Sequence, residues 1–98
     1  MTINITKNGT ELNITPEGRL DTVTAPELET AVKENIDGVT ALTLDFSKLD
    51  YISSAGLRVL LSAQKTMNKQ GKMTVKNVNE TIGEIFEVTG FNDILDIE

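Results

Sequence analysis

The stretch that decides the fold spans residues 45–60 and reads DFSKLDYISSAGLRVL. An apolar alternating segment ends at Asp45-Phe46-Ser47, and a helical pattern begins a few residues later, near Ser54. In open α/β sheets, ligand and partner sites gather where strands end and the following helices begin. The stretch therefore predicts a junction between a strand and a helix that can carry the function of the chain.

The residues before this stretch predict a hairpin, a helix and a third strand. Residues 2–7 alternate apolar and polar side chains, and Asn8-Gly9 favours a tight turn into a second alternating segment. Thr24-Ala25-Pro26-Glu27 resembles a capping box, which predicts the start of a helix that Gly38 can end. The apolar positions that define these elements are Leu12, Ile14, Leu28, Ala31, Val32, Ile36, Leu42, Leu44 and Phe46.

The residues after Ser53 continue to alternate between helix and strand patterns. The predicted order is β-β-α-β-α-β-α-β, which favours an α/β fold with a mixed β-sheet and helices packed on it, in one domain spanning residues 1–98. The later elements are a helix from about Ser54 to Gln70 closed by Gly71, a strand from Met73 to Asn77, a helix that Asn79 or Thr81 caps and Gly90 ends, and a short strand at residues 94–97.

The composition excludes several kinds of site. The 98 residues include no Cys and no His, so Ser-His-Asp, Cys-His and thiolate-zinc sites cannot form within the chain. The net charge of −6 and the scattered cations argue against a nucleic-acid partner. No apolar run approaches the roughly 18 residues of a membrane span, and the first residues lack the pattern of a secretion signal. We expect a cytoplasmic protein without a metal site, cofactor or membrane span.

The serines of the junction have two interpretations. A serine hydroxyl at a helix start commonly accepts a hydrogen bond from a free backbone N–H, worth about 1 kcal/mol, and spacing alone favours this capping role over a phosphoacceptor or ligand role. Gly56 fits a close contact between helix and sheet as well as it fits the approach of a partner. The pattern by itself leaves these alternatives open.

The run from Asp45 to Leu60 resembles the signature of the STAS domain, and most closely that of the bacterial anti-sigma factor antagonists. Upstream, Gly18-Arg19-Leu20-Asp21 resembles the second-strand motif of the same family. The resemblance spans essentially the whole chain, and it implies a STAS-like fold and a protein that is not an enzyme. Many family members add a final helix after the last strand, and the chain ends at Glu98 without that pattern.

The resemblance implies a phosphorylation site. In the family, the serine two positions before the motif glycine is phosphorylated by an anti-sigma kinase, and that position is Ser54 here. The preceding position is often Asp in the family and is Ser53 in this chain, which makes Ser53 a less favoured alternative acceptor. The position after the acceptor is often Ser or Thr in the family and is Ala55 here.

The same resemblance implies a partner switch. The unmodified protein would bind an anti-sigma factor that is also a serine kinase, phosphorylation would release it, and a serine phosphatase would reset it. The free protein would be a monomer. The surface expected to contact the partner consists of Ser53, Ser54, Ala55, Gly56, Arg58 and Ser62.

Three side chains of this prediction have an ordinary structural alternative. Arg58 lies in a series of polar positions that also fits a solvated helix face. Asp21 and Asp45 are each predicted near the end of a strand and therefore near Ser54, where they could position the hydroxyl or a Mg²⁺ ion. Local turn chemistry, in which Asp accepts hydrogen bonds from nearby backbone N–H groups, is the preferred interpretation of both.

Two other functions are alternatives to the switch. An enzyme that uses Asp45 as a phosphoacceptor or Mg²⁺ ligand is disfavoured, because there is no acidic pair at the end of the first strand and no P-loop or Gly-x-Ser-x-Gly motif. A STAS module without a phosphoswitch, as a subunit of a lipid-transport or stress-signalling complex, remains the alternative. In that case Ser54 would only cap its helix.

Overall fold

The computed structural model describes all 98 residues, and it contains six strands, three α-helices and one 3-10 turn. The strands are β1 (Thr2–Asn8), β2 (Glu11–Leu20), β3 (Ala41–Asp45), β4 (Leu49–Ile52), β5 (Lys72–Lys76) and β6 (Asp96–Ile97). The helices are α1 (Ala25–Asn35), α2 (Ser54–Gln70) and α3 (Glu80–Thr89), and the 3-10 turn spans Phe91–Asp93.

The sheet is mixed, as the alternation of elements predicts. Its main path runs β1-β2-β3-β5-β6, with β1 antiparallel to β2 and the other neighbours parallel. Strand β2 has two parallel partners in succession, since residues 11–14 pair with β3 and residues 18–20 pair with β4. Pro16, which has no N–H to donate, lies between the two paired segments. This fork places the end of β4, and with it the start of α2, beyond the end of β3.

One face of the main sheet carries the apolar core. Alternate residues of β2, β3 and β5 are buried, and each buried side chain of this size contributes about 1.5–3 kcal/mol relative to exposure. A slip of one residue would turn these side chains to the opposite, polar face, so their burial holds the register. The two aligned rows of the core are Leu12-Leu42-Met73 and Ile14-Leu44-Val75.

Two stretches differ from the predicted elements. The prediction missed β4, because only Leu49 and Ile52 are buried in this four-residue strand and their spacing of three does not produce an alternating pattern. The final strand, predicted at residues 94–97, is limited to Asp96–Ile97. The residues before Asp96 form a helical turn instead, in which the backbone N–H of Leu95 donates a hydrogen bond to the carbonyl of Phe91 at 2.8 Å.

The turn of the hairpin is shifted by one residue from the prediction. Asn8 is the last residue of β1 and pairs with Glu11, so Gly9 and Thr10 form the two-residue turn. Gly9 has a φ of +64°, whereas Thr10 keeps a negative φ. A two-residue hairpin turn with a negative φ at its second residue needs a positive φ at its first, which glycine adopts readily.

The predicted helix ends are correct in two of three helices. Helix α2 has the predicted bounds and ends at Gly71. Helix α3 begins after Asn79, whose side chain accepts a hydrogen bond from the Ile82 N–H at 2.8 Å, and it ends at Gly90 with a φ of +78°. In α1, Thr24 is the residue before the helix, as predicted, but the capping box does not form, because the Thr24 hydroxyl makes no cap hydrogen bond and donates to the Arg19 carbonyl instead. Helix α1 ends at Asn35, before the predicted stop at Gly38.

Helix α2 makes its closest approach to the sheet at Gly56. A β-carbon on this residue would lie 2.7 Å from Cγ1 of Ile52 and 2.8 Å from Cγ of Leu20, both well inside normal contact. Of the two interpretations of Gly56, the structure shows the packing contact. Gly56 is buried on the side of α2 that faces the sheet, where a partner cannot contact it.

We predict that Gly56→Ala destabilises the protein although it adds a better helix former. Steric overlap in a packed core costs about 1–3 kcal/mol, and the helix propensity of Ala returns at most about 1 kcal/mol. Urea unfolding should show a net loss of about 1–2 kcal/mol. Gly83→Ala in α3 is the matched control, because its β-carbon would have no neighbour closer than 3.9 Å, and it should be neutral or stabilising by up to about 1 kcal/mol. Equal effects of the two variants would contradict the packing role of Gly56.

Candidate functional site at the start of helix α2

The junction between β4 and α2 contains no loop. Strand β4 ends at Ile52, Ser53 is the residue before the helix, and Ser54 is the first helical residue. The backbone of Ser53 is held at both ends: its N–H donates to the Leu20 carbonyl at 2.8 Å, and its carbonyl accepts from the Leu57 N–H at 2.9 Å. The start of α2 is therefore bonded directly to the end of β2.

The two serine side chains of the junction point into different environments. The hydroxyl oxygen of Ser53 is buried and has no hydrogen-bond partner. Ser54 is exposed, and its hydroxyl makes no hydrogen bond to the protein. The capping interpretation of these serines is therefore not what the structure shows, because neither hydroxyl accepts a hydrogen bond from the backbone of α2.

This geometry predicts that neither serine hydroxyl stabilises the fold. Ser54→Ala should stay within about 0.5 kcal/mol of the wild-type free energy of unfolding, since it removes a solvated hydroxyl. Ser53→Ala should be neutral or stabilising by about 1 kcal/mol, since it removes a buried hydroxyl that has no hydrogen-bond partner. Asn79→Ala is the control, since it removes a side chain that caps α3 and should cost about 1–2 kcal/mol in the same urea titration. A loss of 1 kcal/mol or more in Ser54→Ala would restore the capping interpretation.

A groove of about 210 Å³ lies beside the junction, between the starts of α1 and α2. Ala55 and Arg58 line it from α2, as the predicted contact surface requires, but Ser62 lies one turn beyond it on the exposed side of the helix. The opposite wall was not predicted from the sequence, although the strand motif ending at Asp21 lies in this region. That wall comes from the start of α1 and consists of Thr22, Ala25, Pro26 and Glu29.

An exposed apolar side chain adjoins the groove. Val23 follows Thr22 in the turn before α1, and it is 80% exposed. No hydrophobic periodicity marks Val23, since it lies outside the helix, so only the structure identifies it as part of this surface. Val23 and Ser54 are thus exposed neighbours in the chain of two groove residues, Thr22 and Ala55.

The structure brings only one of the two predicted aspartates near the junction. Asp21 directly follows Leu20, whose carbonyl bonds to Ser53. Asp45 lies away from the junction. Leu44 of β3 pairs with Ile14 of β2, whereas Ile52 of β4 pairs with Leu20, farther along the same strand. If the pairing of β3 with β2 is continued to Asp45, this residue lies about 16 Å from Leu20 along β2, at about 3.3 Å per residue.

Both aspartates accept backbone hydrogen bonds in the turns that follow them, as the preferred interpretation states, and Asp45 also bonds to the side chain of the distant Asn77. The Asp21 carboxylate accepts hydrogen bonds from the N–H groups of Val23 at 3.0 Å and Thr24 at 3.1 Å. The Asp45 carboxylate accepts from the Asn77 side-chain amide and the Ser47 N–H, each at 3.0 Å. These bonds organise the turns that follow β2 and β3.

The same hydrogen bonds lower the pKa values of both carboxyl groups. The Thr24 N–H is the main cause for Asp21, and the Asn77 amide is the main cause for Asp45. Because the pKa is lower in the folded than in the unfolded state, each ionised carboxylate contributes stability that is complete above the unfolded value of about 3.9. That contribution is lost as the pH falls through the folded pKa.

We therefore predict a weaker acid dependence in Asp45→Asn than in the wild-type protein. The urea midpoint of the wild type should be steady from pH 7 to about pH 5 and should fall below about pH 4, and the variant should lose less over that acid range. Asp50→Asn is the control, because the Asp50 carboxylate accepts no hydrogen bond, and it should keep the wild-type slope. An unchanged slope in Asp45→Asn would contradict the role assigned to these hydrogen bonds.

Other kinds of site are not seen in the structure. No group of three or more His, Cys, Asp or Glu side chains is arranged to hold a metal ion. None of the three helices has the length and apolar content needed to cross a bilayer.

Comparison with known proteins identifies the family. The STAS domain family model matches residues 2–98. The chain belongs to the STAS domain family. The mixed sheet and the order of its elements are thus those of a STAS domain, and the resemblance noted from residues 45–60 is confirmed.

Two relatives of this STAS domain are named for their regulatory role. The anti-sigma factor antagonist BtrV of Bordetella bronchiseptica is 35% identical over 83 residues, which are 83% of this chain and 72% of that protein. The anti-sigma-B factor antagonist of Staphylococcus aureus is 30% identical over 82 residues, which are 82% of this chain and 76% of that protein.

The fold is shared with solved structures of SpoIIAA in an unphosphorylated and a phosphorylated form. The unphosphorylated form of SpoIIAA has a TM-score of 0.85 at 17% identity and aligns with 99% of this chain and 88% of its own. The phosphorylated form of SpoIIAA, described as a Bacillus cell-fate determinant, has a TM-score of 0.77 at 17% identity, over 99% of this chain and 91% of its own. At this identity the likeness shows that the fold is the same.

Proposed function

We propose that this STAS domain is an anti-sigma factor antagonist that binds an anti-sigma factor when unmodified and is released by phosphorylation of Ser54. The two relatives described above are named as anti-sigma factor antagonists, which supports the coarser part of the proposal, and proteins of this kind regulate rather than catalyse. The anti-sigma factor would itself be the serine kinase, a serine phosphatase would reverse the modification, and the exchange would occur in the cytoplasm.

One observation carries the choice of Ser54: it is the exposed first residue of a helix whose start has no side-chain cap. A kinase must reach the hydroxyl, and the exposed position of Ser54 allows this. The buried hydroxyl of Ser53 lacks such access, which supports Ser54 over its neighbour. The first N–H groups of a helix have no partner within the helix, and at α2 no side chain occupies them.

The start of α2 can accommodate a phosphate without refolding. A phosphoserine adds about −1.5 to −2 charges at pH 7, and the free N–H groups and partial positive charge of a helix start stabilise such a group. A partner packed over the same residues would have to bury this charge, which is costly unless the partner neutralises it. Phosphorylation would therefore weaken the complex and leave the antagonist folded.

The surface around Ser54 supports protein binding. Val23 offers an exposed apolar contact, and the groove beside it is lined by Ala55 and Arg58. Interfaces of regulatory complexes combine such an apolar centre with a polar rim. Arg58 is the only cation of the groove, so its position lets it contact a carboxylate of the partner.

We predict that a serine kinase of the anti-sigma type phosphorylates this protein at Ser54. Incubation with the kinase and ATP, followed by mapping of the modified residue by mass spectrometry, should give one phosphate per chain on Ser54. Ser54→Ala should remain unmodified, and Ser53→Ala should be modified like the wild type. Wild-type modification of Ser54→Ala would overturn the assignment.

Charge at Ser54 should also weaken the complex without unfolding the antagonist. Ser54→Asp should raise the dissociation constant for the kinase about tenfold or more in calorimetry, while the thermal midpoint stays within a few degrees of wild type. Thr81→Asp is the matched control, because it adds the same charge to the first turn of α3, where Thr81 is exposed. Tight binding by Ser54→Asp would favour a STAS module with a static interface.

A further inference from the structure

Strand β1 forms an edge of the sheet and has no partner on its outer side. It is seven residues long, and six of those residues are exposed. Natural edge strands are usually protected by shortness, charge, proline or a bulge, because their free N–H and C=O groups pair readily with another strand. Lys7 is the one charged residue of β1, and the strand contains no proline and no bulge.

The opposite edge of the same sheet is protected. Strand β6 is two residues long, and three carboxylates surround it, from Asp93, Asp96 and Glu98. All nine cations and nine of the fifteen carboxylates precede residue 77, so the net charge of −6 resides in the last 22 residues. The β1 edge itself carries no carboxylate, and Asp96 lies at the opposite edge of the sheet.

The hydrogen-bonding direction of β1 follows from the hairpin. The two residues that flank a two-residue hairpin turn exchange hydrogen bonds, so Asn8 bonds to Glu11. Every second residue of β1, counted back from Asn8 to Thr2, also bonds to β2. The residues between them, Ile3, Ile5 and Lys7, then direct their N–H and C=O groups outward. These outward groups are what an added strand would pair with.

The sequence of β1 is symmetric about Asn4. Residues 2–6 read TINIT, the same in both directions. In an antiparallel pair of two such strands centred on Asn4, each Thr faces a Thr, each Ile faces an Ile and Asn4 faces its own copy. Pairs of β-branched residues at such positions are favourable, at about 0.2–1 kcal/mol each.

We propose that β1 pairs antiparallel with β1 of a second copy of this chain, around a two-fold axis at Asn4. The sheets of the two copies then become one continuous sheet. A two-fold contact requires one surface to be complementary to itself, and the symmetric order of TINIT meets that requirement. The expectation of a free monomer is replaced by this dimer.

The surroundings of β1 offer apolar and charged groups to a second copy. Ile3 and Ile5 line an open groove of about 590 Å³ between β1 and α1, and Ile5 is 41% exposed. Glu27 of α1 lies on the rim of this groove, with its Oε1 3.5 Å from the Met1 nitrogen. In the paired arrangement Lys7 faces Met1 of the second copy, which brings the Lys7 ammonium toward Glu27 of that copy.

The size of the contact indicates a weak dimer. One added strand and the rims of two grooves bury less than the roughly 1,200 Å² that stable complexes need, so we expect a dissociation constant of about micromolar or weaker. The contact includes neither Ser54 nor the groove beside it. Each copy in the dimer thus keeps its own junction accessible.

A single introduced cysteine tests the symmetric pairing, because the chain has none of its own. The two Asn4 residues would face each other at a Cα separation of about 4.5–5.5 Å, which a disulfide can span. Asn4→Cys should therefore form a disulfide-linked dimer under mild oxidation. Thr6→Cys is the matched control on the same strand and face. Its two copies would be about 13 Å apart, so they should form a disulfide no faster than cysteines that meet by random collision. Equal rates for the two variants would overturn the proposal.

Sedimentation equilibrium provides an independent test on the unmodified chain. The wild type should show a concentration-dependent rise from monomer mass toward dimer mass, and Ile5→Lys should remain a monomer at the same concentrations. Val88→Lys, which replaces an 83%-exposed valine on α3, is the matched control and should dimerise like the wild type. A wild-type protein that remains a monomer to millimolar concentration, or an Ile5→Lys variant that dimerises normally, contradicts the proposal. Phosphorylation of Ser54 is measured separately, so either proposal can fail alone.

Discussion

The close approach of helix α2 to the sheet at Gly56 is the constraint on which the rest of the site depends. With no β-carbon at Gly56, the helix backbone can settle against Leu20 and Ile52, at distances where any other residue would overlap them. The first turn of α2 is thereby tied to the ends of both β2 and β4, and the Ser53 N–H bond to Leu20 continues this attachment. One consequence is that Ser53 turns its hydroxyl inward and Ser54 stands in solvent.

The helix starts of this domain differ in how their free N–H groups are satisfied. Asn79 caps α3 with its side chain, and the Asp21 carboxylate accepts the N–H groups of the turn before α1. Helix α2 has a serine in the capping position and gains no bond from its hydroxyl. In the proposed switch this difference is functional, because a helix start without a side-chain cap keeps its N–H groups available for a phosphate.

The two ends of the sheet divide the molecule electrostatically. The segment from α3 to β6 carries the whole net charge, while the remainder, which includes the junction and β1, is balanced. Strand β1, which carries one cation and no carboxylate, therefore adds none of the net negative charge to its own edge of the sheet. The junction and β1 are also separate surfaces, so binding of an anti-sigma factor and pairing of two copies do not compete for the same residues.

The sequence by itself determined the elements whose patterns are local. Helix α2 from Ser54 to Gln70, the Asn79 and Gly90 ends of α3 and the alternation of β1 and β2 follow from periodicity and end residues, because helix and turn preferences act within a few positions. The family resemblance also rests on contiguous residues, and it was correct for that reason. The tertiary structure decided what depends on pairing between distant segments. Strand β4 exists because β2 offers it a partner at residues 18–20, and the same fork separates Asp45 from Asp21. The burial of the Ser53 hydroxyl and the free edge of β1 likewise depend on which segments pack beside them, and no local pattern records that.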